Sequence, residues 1–168
     1  MAMESFQSIF QLNGKNGIRR SVTMDDSLLI YLWRSEPDTY IYTKSRSVPS
    51  QEVHTAWTQD RLESLSKEPY FAYEISDHLS AVTRLEILDS DSDNYEISIL
   101  VAPNWRGLGL ASFCISDSIN FASKNLGAKT ILANIHNKNL ASINLFKKCG
   151  FKLTELNETA FLKFKIEY

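Results

Sequence analysis

Little in this sequence serves chemistry that depends on sulfur, on a membrane or on a strong field of one sign. Only two cysteines, Cys114 and Cys149, occur among the 168 residues. That is too few for the disulfide framework of a small secreted domain, so a reduced, intracellular setting and a packing role are expected for both. No segment approaches the roughly 18 apolar residues of a membrane span, and the N-terminus lacks a basic stretch followed by an apolar run. A cytoplasmic protein without a membrane partner is expected. Lys and Arg total 18 against 20 Asp and Glu, a net charge of −2, so no broad field points to nucleic acid. Internal repeats and low-complexity segments are also missing, and no metal site is expected. What the chain does have is core-forming material, 43% apolar residues and 11% aromatics. That amount suits one compact domain over residues 1–168.

Phe6 to Leu12 and Ile18 to Thr23 flank Asn13-Gly14-Lys15-Asn16-Gly17, whose residues tolerate the positive φ of a hairpin turn. Asp25 or Asp26 can cap a helix through Trp33, and Ser50 precedes a second helix with Glu52 in its first turn. The stretch between them, Arg34 to Pro49, is expected to be irregular. Tyr70 to Ile75, Ser80 to Leu88 and Tyr95 to Val101 read as an antiparallel meander with polar turns at Ser76 to Leu79 and Asp89 to Asn94. After Gly109 the period changes. Ala111, Ile115, Ile119, Ala122 and Leu126 recur at helical spacing up to Gly127, a fitting stop. A strand from Thr130 to Ala133, a helix from about Asn139 to Cys149 ended by Gly150, and a strand from Phe161 to Ile166 follow. The whole reads as a mixed α/β layered domain.

The most informative stretch is Val101-Ala102-Pro103-Asn104-Trp105-Arg106-Gly107-Leu108-Gly109-Leu110-Ala111, which joins a strand to the longest helix. Free amides in the first helical turn and the helix dipole favour an anion there, and small residues let the backbone approach it. Arg106 adds positive charge. A glycine-rich turn without a ligand is the plain alternative.

Here the sequence resembles the GNAT superfamily of acetyltransferases, whose pyrophosphate loop reads Arg/Gln-x-x-Gly-x-Gly/Ala. Arg106-Gly107-Leu108-Gly109-Leu110-Ala111 matches it, and Asn139 to Phe151 resembles the family block Asn-x-x-Ser-x-x-x-Tyr-x-x-x-Gly-Phe. The resemblance runs from about Ile18 to the C-terminus. It implies a central, mostly antiparallel splayed sheet flanked by helices, and acetyl-CoA as cosubstrate. The strand ending at Val101 would part from the strand around Ile131, and amides around Leu100 and Val101 would hold the pantetheine arm. Asn139 and Ser142 could hydrogen-bond the cofactor, though Asn and Ser at a helix start are also ordinary caps.

Strand alternation puts Tyr95, Ile97, Ile99 and Val101 on one face and Glu96, Ser98 and Leu100 on the other. Attack on a thioester needs a neutral amine, so a carboxylate near the acceptor could take its proton. Glu96 is the candidate, at a position resembling the strand glutamate that serves as base in several family members. Phe146 departs from the family, standing where a tyrosine often protonates the CoA thiolate. A thiol pKa of about 8.5 makes the thiolate a tolerable leaving group without that acid.

The acceptor is harder to read. Glu52-Val53-His54-Thr55-Ala56-Trp57 sets His54 and Trp57 one helical turn apart, where packing competes with function. The pattern Asp-x-x-x-Leu-x-x-x-Trp-Arg from Asp25 to Arg34, followed by Glu-x-His-x-x-Trp and Arg84, looks like bacterial acetyltransferases of nucleotide-linked amino sugars. Ala81 stands where that branch usually has glycine. The resemblance implies that Trp33, His54, Trp57 and Arg84 receive a nucleotide diphosphate and a ring. Alternatives are a ribosomal-protein or other protein N-terminal acetyltransferase, and a non-catalytic acyl-CoA-binding domain. A small amine acceptor is the expected partner, and a homodimer is open.

Overall fold

Asn13 at φ 51° and Gly14 at φ 76° form a tight turn that folds β1 (Ser8–Leu12) onto β2 (Lys15–Ser21). In the computed structural model, which describes residues 6–88, 93–155 and 160–168, this hairpin opens an eight-stranded sheet. The meander continues with β3 (Tyr70–Ile75), β4 (His78–Ile87) and β5 (Asn94–Val101). Its first turn contracts to Ser76 and Asp77, both in the left-handed region at φ 52° and 61°, so β4 starts two residues earlier than expected. The turn expected from Asp89 to Asn94 lies mostly outside the described residues.

β6 (Thr130–His136) runs parallel to β5, and every other pairing is antiparallel. The last strand, β8 (Phe161–Glu167), inserts between β6 and β7 (Lys152–Glu155), giving the order β1-β2-β3-β4-β5-β6-β8-β7. β7 was not expected from the sequence. It is a short edge strand rich in polar residues, without the alternation that marks a half-buried one.

Helices cover both faces. α4 (Leu110–Asn125) and α5 (Leu140–Lys148) lie over a core that includes Phe71, Tyr73, Ile97, Ile115 and Ile131. Cys114 is fully buried there and burial pushes its thiol up, and neither cysteine is in a disulfide. On the other face, Val22, Ile30, Tyr70, Ala72 and Val82 pack with Trp57 of α3 (Gln51–Leu62). Ile30 belongs to α1 (Ser27–Arg34). Asp26 precedes α1 and ties it to the sheet, accepting from Arg20 at 2.7 and 2.8 Å and from the Thr23 amide at 2.8 Å. Burial opposes its charge, yet the bonds from Arg20 and Thr23 prevail and hold the Asp26 carboxyl below its usual range.

The stretch expected to be irregular from Arg34 to Pro49 contains one helical turn, α2 (Pro37–Tyr40), with proline at its first position. Proline's fixed φ favours that start, but four residues are too few for helical periodicity to show. Among the described residues, no helix is long and apolar enough to cross a membrane, and no cluster of His, Cys, Asp and Glu could hold a metal ion.

Candidate active site

β5 and β6 pair only at Asn94 with Thr130, Tyr95 with Ile131 and Glu96 with Leu132. Beyond Glu96 they part, while β5 stays paired to β4 as far as Val101. The gap is a cleft of about 760 Å³ between Ile97–Val101 on one side and Ala133–His136 on the other, with the start of α5 and Phe146 also in its wall. Every second residue of the freed β5 edge turns its backbone groups toward this gap, where an extended amide chain can pair as a strand would. Leu100 and Val101 both line it.

At the end of β5, a short helical turn (Pro103–Trp105) leads to Gly107 and Gly109, at φ 76° and 85°. A Cβ built at either glycine meets nothing within 4 Å, so open space surrounds them. α4 begins at once, and no side chain caps its N-terminus. Its first-turn amides therefore suit a diphosphate, and together with the freed strand edge they fit the pyrophosphate and pantetheine arm of CoA. Arg106 and Ala111 border the cleft. The Arg106 guanidinium bonds Glu36 at 2.7 Å, the Thr39 hydroxyl at 3.5 Å and the Val101 carbonyl at 3.2 Å. Leu108 is half exposed, whereas the Leu110 side chain is fully buried in the core. Of Leu110, only the backbone can serve a ligand, because its side chain anchors the helix.

Glu96 sits where the strands diverge and lines the cleft. Asn134, on the facing strand, donates to its carboxylate at 2.8 Å. Asn139 caps α5, its side-chain oxygen accepting from the Ser142 amide at 3.1 Å, and both residues line the cleft. Phe146 reaches the wall from within the core, its ring edge-on to Phe151 at 5.0 Å.

Of the four residues expected to hold the acceptor, only Arg84 lines the cleft. Trp33 is buried and borders a separate concavity with Lys15 and Trp105. His54 is buried between Tyr31 and Trp57, at ring distances of 5.5 and 5.8 Å, and its Nε2 has no partner. Burial, then the charge of Arg34, lowers its pKa and keeps the ring neutral. Trp57 lies behind the wall as a platform, with the Arg84 and Arg34 guanidinium groups 5.0 and 5.4 Å from its ring centre. The physical reason is helix phase: a period of 3.6 turns His54 toward Tyr31 of α1 and Trp57 toward Tyr70 of β3, where packing claims both.

Arg34 was not singled out as a site residue from the sequence. It lines the cleft and pairs with no carboxylate among the described residues, whereas Arg84 bonds Glu86 at 2.7 Å. Burial, together with Arg34 and Arg61, lowers the Arg84 pKa to about 10, still cationic at neutral pH. Tyr70 and Ser98 lie in the same wall. The usable signal was the adjacency of Trp33 and Arg34. Consecutive helical residues point about 100° apart, so burying Trp33 sends Arg34 to the side.

The model of the acetyltransferase (GNAT) domain family matches residues 18–152. Acetyltransferase PseH of Campylobacter jejuni is 20% identical over 125 residues, covering 74% of this chain and 76% of that protein. The uncharacterized protein MJ1062 of Methanocaldococcus jannaschii is 28% identical over 140 residues, 82% of this chain. The match spans 28% of that longer protein's length. In fold, the chain is similar to a domain from Methanocaldococcus jannaschii, with a TM-score of 0.79 and 24% identity, covering 92% of this chain and 99% of the other.

Proposed function

The chain belongs to the GNAT family of acetyl-CoA-dependent N-acetyltransferases, and we propose that its acceptor is a primary amine on a nucleotide-linked amino sugar. One observation carries this reading: the acceptor side of the cleft presents two guanidinium groups, Arg34, which pairs with no carboxylate among the described residues, and Arg84, whose partner Glu86 is also held by Arg61. An arginine pair is suited to the oxygens of a diphosphate and repels a polyamine. The resemblance of the Asp25 to Arg34 segment to amino-sugar acetyltransferases supports the same class.

Acetyl-CoA supplies an acyl carbon already activated as a thioester. The protein's share is positioning and proton handling. Arg34 and Arg84 hold the anionic end of the acceptor, and the Trp57 ring keeps both cations in place from behind. Glu96 takes the ammonium proton, directly or through a water, so that the amine attacks as a free base. Asn134 donates to Glu96 and fixes the direction of its carboxylate. Phe146 offers no proton to the leaving sulfur, which departs as a thiolate and is protonated by solvent.

The test is a panel of nucleotide-linked amino sugars, N-terminal peptides and polyamines, read by release of CoA thiol. Turnover of the sugar nucleotides is expected. Efficient acetylation of peptides alone would replace this reading with that of a protein N-terminal acetyltransferase. Tight CoA binding with no turnover on any amine would favour a binding domain.

A further inference from the structure

The first strand and the tip of the opening hairpin, residues 8–17, lie outside both the stretch matched by the family model, which starts at residue 18, and the cleft residues. Its tip nevertheless touches the glycine loop at two points. The Asn13 side-chain amide donates to the Leu108 carbonyl at 3.0 Å, across 95 residues of sequence, and the Lys15 ammonium stands 5.0 Å above the Trp105 ring. Behind the tip, Phe10 packs on Phe113 in the first turn of α4, with ring centres 4.5 Å apart. The hairpin thus holds the residues on both sides of Arg106-Gly107 and the helix that follows.

We propose that Asn13 is a positioning residue for cofactor binding, setting the Leu108–Gly109 peptide so that the loop presents its amides to the pyrophosphate. A trans peptide points its N–H opposite to its C=O. With the Leu108 oxygen drawn to the hairpin by Asn13, the Gly109 amide is turned away from the hairpin. Glycine at φ 85° otherwise leaves this peptide free to rotate, and a peptide already turned does not have to be ordered when the ligand arrives. Lys15 adds a cation beside the loop that pairs with no carboxylate among the described residues. The inference rests on the reading that the loop receives the pyrophosphate of acetyl-CoA.

Asn13 itself sits at φ 51°, a conformation that glycine adopts without strain. Asn13→Gly therefore removes the amide side chain and keeps the turn. Calorimetry would compare CoA with pantetheine, which lacks the phosphates, on the wild type, Asn13→Gly and Gly109→Trp. We expect Asn13→Gly to weaken CoA about fivefold, the scale of one neutral hydrogen bond, and to leave pantetheine unchanged. If Asn13→Gly binds CoA normally while Gly109→Trp loses it, the positioning role is wrong and the loop reading stands. If folded Gly109→Trp also binds CoA normally, the loop reading itself fails. Equal weakening of both ligands by Asn13→Gly would mark a general structural role and overturn the proposal.

Discussion

On its cofactor side, the cleft offers mostly backbone, in the freed edge of β5 and the uncapped start of α4 after Gly109. On the side proposed for the acceptor, it offers side chains from separate elements: Arg34 from α1, Tyr70 from β3, Arg84 from β4 and Glu96 from β5. Backbone groups answer to local conformation, which a few glycines and a strand-to-helix junction dictate. Side chains from four elements answer to how those elements pack. The first kind of site tolerates drift in sequence at most positions, and the second can change specificity through one substitution.

The sharpest break between the two sides should come at their junction. Glu96→Gln removes the proposed base and keeps the shape, so turnover is expected to fall about 100-fold or more while CoA affinity, measured by calorimetry, stays within about twofold. Wild-type turnover across pH would mean that solvent or another group deprotonates the amine.

A smaller separation is expected from the acceptor arginines. Arg34→Ala should raise the acceptor KM about tenfold, the scale of one charge-assisted hydrogen bond, with acetyl-CoA KM unchanged. Steady-state kinetics with the best acceptor from the panel checks this. Parallel loss of both KM values would show that the two sides are not independent.

The smallest effect is expected on the cofactor side at Phe146. Phe146→Tyr adds a hydroxyl where the family often has one, and kcat should change by less than about threefold if the thiolate needs no acid. A tenfold gain in stopped-flow turnover would show that proton delivery limits the natural enzyme.

Both sides of this comparison bear on what could be read from sequence. The loop from Arg106 to Ala111 was legible because strand, turn and helix succeed one another along the chain, and glycine at positive φ is a local requirement. α4 and α5 were legible for the same kind of reason, apolar residues recurring at helical period before a glycine stop. α2 and β7 were not, since four residues give no period to count. Trp33, His54 and Trp57, assigned to the acceptor from the sequence, do not line the cleft, for a different reason. Spacing says which residues share a helix face and nothing of what that face meets, and on α3 it meets Tyr31 of α1 at His54 and Tyr70 of β3 at Trp57.

The sequence by itself determined the order of the longer elements, the glycine junction and the membership of the family, because each depends on neighbours within a few residues or on motifs in line. The resemblance implied that β5 and β6 part, but tertiary structure alone decided that they do so after Glu96, that Asn134 faces that carboxylate, and that Arg34 and Arg84 converge on one wall. Those relations join residues 36 to 50 positions apart in sequence, and only the packing of helices on a twisted sheet sets such distances.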